Sequence, residues 1–476
     1  MTTENKISQS RQSIDVLDPF NLIDIIDKAP YAKNTSQILT DEEYQEAIND
    51  LQRVFCCCVS TPEVYMFKDY DSINEIVKVS YTSEAVAKTK LRKIIIGKTF
   101  KNEKSKLMTL WDLFIDNQKL FSVKALKFYS TDSQVFSYFR GYDYDIPEDA
   151  TMEDVKMNVI QPFLDHVREV IANNNEQVYK YILVWIASVL QKPSFKTETA
   201  LVILGHQGTG KNTFFTNVIC KLMARYANEN VSSIESVVGK FNAVLENKKL
   251  LILNELQSIE TNKFLNSDAL KSVITDKSIM INQKNEPERL CENVANLILV
   301  SNHNNPIKVE STDRRYMITR TSDKHRGDTD YFDKLSASFT PEFYENLFTF
   351  FMLYDIKGTN LRKIPETEEK EAIKEASMSS YEIFVRDNYE QIKNITGPDL
   401  FNLYNTFVEA NKFTPCSSRT FIANIVEFTG KASQKWVEGK NTKVYNLKPE
   451  YYEKFKKYHE DLEKQIIEDE IDTDAL

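Results

Sequence analysis

The stretch ALVILGHQGTGKNTFFTNVICKLMARY, residues 200–226, holds the pattern on which the fold turns. It opens with a short, continuous apolar run of the kind that forms a strand buried on both faces. A glycine-rich turn follows, GHQGTGKNT (205–213), and then a helical pattern. Only 11 glycines occur in 476 residues, yet Gly205, Gly208 and Gly210 fall close together, where backbone must turn left-handed or approach a ligand. A strand, a tight loop and a helix N-terminus aim backbone N–H groups at one point, and Lys211 adds a cation. This constellation suits a triphosphate and fits the G-x-x-x-x-G-K pattern. The candidate nucleotide-binding residues are Gly205, His206, Gln207, Gly208, Thr209, Gly210, Lys211, Asn212 and Thr213, with ATP and Mg2+ as the expected cofactors. Asn212 stands where Ser or Thr would ligate magnesium, so its amide oxygen, or Thr213, is the candidate ligand.

Two further apolar runs, LLILNE (250–255) and NLILVSN (296–302), lie downstream with helical segments between them. Short Leu/Ile/Val runs ending in polar residues read as parallel strands whose C-terminal tips gather functional groups. A nucleotide pocket hydrolyses only if something positions water and something stabilises charge on the γ-phosphoryl group. Glu255 is the candidate general base. Asn254 occupies the place of an acidic magnesium partner, and Asn302 is placed to orient water or touch the γ-phosphate. Beyond the third run, Asp313-Arg314-Arg315-Tyr316 offers paired arginines suited to an arginine finger, with a salt bridge to Asp313 as the plainer alternative.

The rest of the chain divides by pattern. Residues 1–30 read as a flexible polar leader, 31–150 as a small α+β region, and 151–195 as a helical lead-in ended by Pro193. The α/β core spans 196–362. Residues 363–459 give three helices and a hairpin around Glu438-Gly439-Lys440-Asn441, the order of a winged helix. The tail, 460–476, carries eight acids against Lys464 and is expected to be disordered. The formal net charge is −10, but without that tail the body is close to neutral and compatible with local basic patches. No apolar run is long enough to span a bilayer, no secretory signal opens the chain, and Cys56, Cys57, Cys58, Cys220, Cys291 and Cys416 lack metal-ligand spacing. A soluble, intracellular protein is expected.

The ordered set GHQGTGKNT, LLILNEL, INQKNEPERL, NLILVSN and DRRY resembles superfamily 3 helicases. It looks most similar to the ATPase module of poxvirus-type primase-helicases of large DNA viruses, phages and mobile elements. The resemblance is strong over residues 150–330. It implies an AAA+-like P-loop ATPase with a parallel sheet, assembled as a homohexameric ring around nucleic acid. It equates Lys211 with the Walker A lysine, Glu255 with the Walker B glutamate and Asn302 with the sensor asparagine. Arg315 is the preferred finger and Arg314 its alternative. Lys284, in Ile281-Asn282-Gln283-Lys284-Asn285-Glu286-Pro287, matches the basic tip of a DNA-contacting hairpin. Asn212 and Asn254 depart from the commoner residues.

The resulting expectation is an ATP-dependent DNA helicase replicating a viral or mobile-element genome. Its partners would be single-stranded or forked DNA and itself, with a separate primase or polymerase as a further partner. Lys435 and Lys440, with Lys431 and Lys443 near Trp436 and Tyr445, form a second basic candidate on the wing. Relatives often carry a primase, which needs clustered aspartates and a histidine. Asp69-Tyr70-Asp71 and Asp143-Tyr144-Asp145 mimic the acidic pair, but no histidine precedes His166, so no primase activity is expected. The alternatives are a DNA translocase or packaging ATPase, and a nucleotide-binding initiation or scaffold protein.

Overall fold

A computed structural model of the chain describes residues 20–33, 36–60, 63–71, 76–101, 104–231, 233–254, 264–437 and 440–473. Its centre is a five-stranded parallel sheet in the spatial order Ala227–Val231, Leu250–Leu253, Asn296–Ser301, Ala200–Leu204, Tyr316–Arg320. Alternate residues of each strand serve opposite cores, as the pleat dictates. Leu201, Ile203, Ile252, Ile298 and Met317 face the helices Met157–His166, Glu176–Gln191 and Pro341–Leu353. Val202, Leu204, Leu251, Leu299 and Ile318 face the other side, with Leu270 and Val273 of the helix Phe264–Thr275. Both faces are covered, which is why these strands are apolar throughout rather than alternating.

The loop-bearing strand is central, flanked by Asn296–Ser301 and Tyr316–Arg320. Pairing of Leu253 with Leu299 and of Ser301 with Leu204 aligns the three apolar runs, so their C-terminal tips lie side by side. Ala227–Val231 was not expected as a strand: its sequence, ANENV, is polar, and the edge position tolerates that. Between Leu250–Leu253 and Asn296–Ser301, Ser278–Ile281 and Arg289–Glu292 pair antiparallel, forming the expected hairpin.

The region before the lead-in is α+β, with the sheet order Ile76–Thr82, Val64–Asp71, Phe55–Cys58, Ser122–Val123. The helix Asp41–Val54 packs on it over a core that includes Phe55, Phe67, Trp111 and Phe114. Within the supposed leader, Leu22–Lys28 is a helix closed by an Asn21–Asp24 capping box. Ile25, Ala29 and Tyr31 are buried in the same core, and the Tyr31 hydroxyl donates to Asp50 at 2.8 Å. The described part of the leader is therefore structured; residues 1–19 lie outside the described residues. Among the described residues no helix is long and apolar enough to cross a membrane.

Lys374–Leu476 form a second compact unit. It begins later than the expected boundary at 362 because Leu361 and Ile364 pack into one core of the sheet domain, Ile373 into the other, and Thr367 donates to the Ile318 carbonyl at 2.6 Å. Its helices Ser380–Asp387, Gly397–Ala410 and Ser418–Thr429 enclose Phe384, Leu400, Tyr404, Phe421 and Ile425. A three-stranded sheet, Ile395–Thr396, Lys440–Tyr445 and Ser433–Val437, completes it. The chain then forms the helix Pro449–Thr473, so the acidic segment is helical over residues 460–473 rather than disordered.

Candidate functional site

The three adjacent tips frame a cavity of about 620 Å³ lined by Gln207, Gly208, Thr209, Gly210, Lys211, Asn212, Thr213, Asn254, Val300, Ser301, Asn302 and Phe332. The glycine-rich turn leaves the central strand at Gly205 and re-enters helix at Lys211, which continues through a π turn, Phe215–Ile219, to Met223. Gly205, Gly208 and Gly210 all have φ between 85° and 145°, a region that side chains avoid. At Gly210 a Cβ would lie 2.7 Å from ring carbons of both His166 and Phe332; at Gly205 it would collide with Thr321 Oγ1.

Lys211 is 6% exposed, and its ammonium donates to the carbonyls of Gly205 (2.7 Å) and His206 (2.6 Å). Burial pulls its pKa from 10.5 down to about 8; Asp323 opposes the shift, while Arg320 and Arg326 reinforce it. A protonated Lys211 and these two arginines thus make the loop electropositive, as a polyphosphate requires.

Asn254 donates its side-chain N–H to the Glu229 carbonyl at 2.9 Å, while its Oδ1 is buried without a partner. An orphaned acceptor in the cavity wall is costly in water-free surroundings and fits a hydrated magnesium ion. Asn212 is exposed and Thr213 half-buried on the same wall, so the donors at hand are neutral oxygens. Ser301 Oγ accepts from the His303 N–H at 3.0 Å, which fixes the turn carrying Asn302. Glu255 lies outside the described residues.

Several residues around the loop escaped the sequence reading. Thr321 Oγ1 donates to Thr209 Oγ1 at 2.9 Å, and Thr209 in turn to the His206 carbonyl at 3.0 Å. Asp323 meets His206 Nδ1 at 2.8 Å. His166, fully buried, contacts Tyr331 Oη through Nδ1 at 3.0 Å, and burial lowers its pKa to about 4. Arg320 ends the strand beside the loop, opposite Leu204, and donates to Asn304 Oδ1 at 3.0 Å. These residues sit far from 205–213 in sequence, and only the basic cluster Arg320–Arg326 carried a local signal.

Arg314 and Arg315 are not at this site. Tyr316 pairs with Ala200 and Arg320 with Leu204, so the arginines lie at the opposite end of the sheet. Arg315 holds Asp313 at 2.8 Å, the plainer alternative, whereas Arg314 is exposed. Lys284 is exposed in the turn of the hairpin, whose base is fixed by buried Arg289: it pairs with Glu246 and with Glu286 and lies over the Tyr81 ring at 3.7 Å.

On the C-terminal hairpin the expected single cluster divides. Lys435 pairs with Thr442 and Val437 with Lys440, which puts Lys435 and Lys440 on one face; Trp436 and Lys443 fall on the other. Trp436 is 77% exposed, and Lys435 Nζ donates to Asn394 Oδ1 at 2.7 Å.

A sequence family described only as of unknown function (DUF5906) matches residues 203–315, from the loop strand to Arg315. Over 198 residues the chain is 27% identical to the DNA primase-polymerase of Nitratiruptor phage NrS-1, covering 38% of this chain and only 27% of that protein. Two apo structures of the NrS-1 C-terminal region superpose with TM-scores of 0.51, at 16% and 15% identity, over 80% of this chain and 96% of theirs. At those identities the likeness is one of fold: the mixed α/β architecture of this chain is similar to that of the C-terminal region of a phage replication protein.

Proposed function

We propose that this chain is a replication NTPase of phage type, a superfamily 3-like DNA helicase with an AAA+-like P-loop core and a C-terminal winged helix. The observation that carries this reading is the convergence of the Lys211 loop, Asn254 and Asn302 on one cavity at three neighbouring parallel strand tips. In it, Lys211 and the loop N–H groups hold the β- and γ-phosphates of ATP. Asn212 or Thr213, and Asn254 through water, would hold magnesium, which would supply neutralisation of phosphate charge. Glu255 takes a proton from water as its oxygen bonds to the γ-phosphorus and the bond to the β-phosphate oxygen breaks; Asn302 orients that water.

Arg315, or Arg314, serves the neighbouring subunit of a homohexamer, since the far end of the strand, roughly 16 Å away at 3.3 Å per residue, cannot serve its own loop. Lys284 contacts DNA phosphates from the hairpin, and Lys435 and Lys440 do so from the wing. The helix–strand–helix–helix–hairpin order of the second unit supports the winged-helix reading.

The relative's name, DNA primase-polymerase, stands against the expectation that this chain makes no primers. Asp143, of the second aspartate pair, is engaged by Arg225 at 3.7 Å. We retain the proposal of a helicase without primer synthesis; a template-dependent synthesis assay yielding products would overturn it. ATP turnover stimulated by single-stranded DNA, with unwinding of a forked duplex, is the expected behaviour. Turnover without unwinding would favour a translocase. Nucleotide binding without turnover would favour the scaffold reading, for which the neutral Asn212 and Asn254 are the specific argument.

A further inference from the structure

The chain as a whole is acidic, with 60 Lys and Arg against 70 Asp and Glu, yet residues 84–106 hold eight basic residues against Glu84 and Glu103. This excess falls on two linked elements of the N-terminal region. The helix Glu84–Arg92 buries Ala87 and Leu91 and exposes Lys90 and Arg92; the turn that follows exposes Lys93. The chain then enters the hairpin Ile95–Lys101 and Lys104–Thr109, on which Lys104 and Lys106 are exposed.

The hairpin register pairs Thr99 with Lys106, and Lys104, two residues from Lys106 on the same strand, shares its face. Helix and hairpin meet at Asp112: Lys106 lies 3.7 Å from its carboxylate, which also feels Arg92. One carboxylate therefore answers several cations. Among the described residues, no acidic side chain pairs with Lys90, Lys93 or Lys104.

We infer that this face, centred on Arg92, Lys93, Lys104 and Lys106, is a second nucleic-acid site that grips the phosphate backbone independently of the triphosphate loop. A dense cationic surface on an otherwise acidic protein concentrates polyanions locally. Three of its four central charges are lysines, compact point charges suited to phosphate. The contact is therefore sequence-independent and salt-sensitive. The N-terminal region then holds a strand outside the motor while the hairpin at Lys284 engages it.

The test uses the full chain without nucleotide, and fluorescence anisotropy of a labelled single strand and of its duplex across a salt series. R92Q/K93Q/K104Q should weaken binding about tenfold or more at low salt and flatten the log–log salt slope by about 2, at ~0.7 per lost single-strand contact. The charge-preserving R92K/K93R/K104R should bind like wild type, and all variants should melt at the wild-type temperature. Loss in either arm supports the site and tells which strand form it takes. K211A should bind as wild type, so failure of the NTPase reading would leave this inference standing. Unchanged affinity and slope in both arms, or loss of an acidic polyglutamate peptide with oligonucleotide binding intact, would overturn it.

Discussion

The ammonium of Lys211 donates to the carbonyl of Gly205 at the very point where the central strand becomes the loop. The side chain proposed to face phosphate is folded back onto its own backbone, largely dehydrated. Nucleotide binding must move it from two carbonyls to a polyanion, and that exchange has a pH signature.

Burial holds the Lys211 pKa at about 8 in the free protein, and a bound phosphate raises it. Below pH 8 the lysine is already protonated, so affinity for ATP is flat. Above it, each binding event must also take up a proton, and affinity falls by up to about tenfold per pH unit. Titration calorimetry between pH 7 and pH 9 should show this loss, together with proton uptake in the upper range. A flat profile would remove Lys211 from the phosphate contact.

Gly210→Ala should cost roughly 1–2 kcal/mol from its positive φ alone. It also drives a methyl into His166 and Phe332. The melting temperature should fall and nucleotide binding should be lost. Wild-type binding would mean that the loop reshapes freely.

The fully buried His166 stays neutral down to about pH 4. The unfolded chain takes up a proton near pH 6.5, so the folded state loses stability as pH falls from 6.5 towards 4, by about 3 kcal/mol in all. Urea denaturation at pH 7 and pH 4.5 should show the loss, and His166→Asn should lessen it. Equal slopes for variant and wild type would assign the acid sensitivity elsewhere.

On the proposed homohexamer, Arg315→Ala should lose hydrolysis in mixed rings while retaining nucleotide binding. Its bond to Asp313 adds a stability cost of up to about 1 kcal/mol that Arg314→Ala lacks. Intact turnover in Arg315→Ala would transfer the finger to Arg314, whose side chain is exposed.

Where burial was uniform, the sequence was easy to read. ALVIL, LLIL and NLILVS are apolar because both faces of the sheet are covered, and the loop leading to Lys211, Asn254 and Asn302 each follow directly on one of these strands. The edge strand ANENV and the capped helix after Asn21 were missed because their stability comes from tertiary neighbours rather than from their own pattern. The same holds for the wall of the site. His166, Thr321 and Phe332 reach the loop only through folding, and nothing local to them announces it. Proximity in sequence groups the lysines of the C-terminal hairpin, whereas strand alternation keeps Lys435 with Lys440 and turns Lys443 to the other face.

A triphosphate seated against Lys211 is the central proposal, and binding and turnover in one pair of proteins test it most directly. Wild type should bind magnesium-ATP and hydrolyse it faster with single-stranded DNA, while Lys211→Ala, folded and melting normally, should do neither. Equal ATP binding and turnover by Lys211→Ala would contradict it.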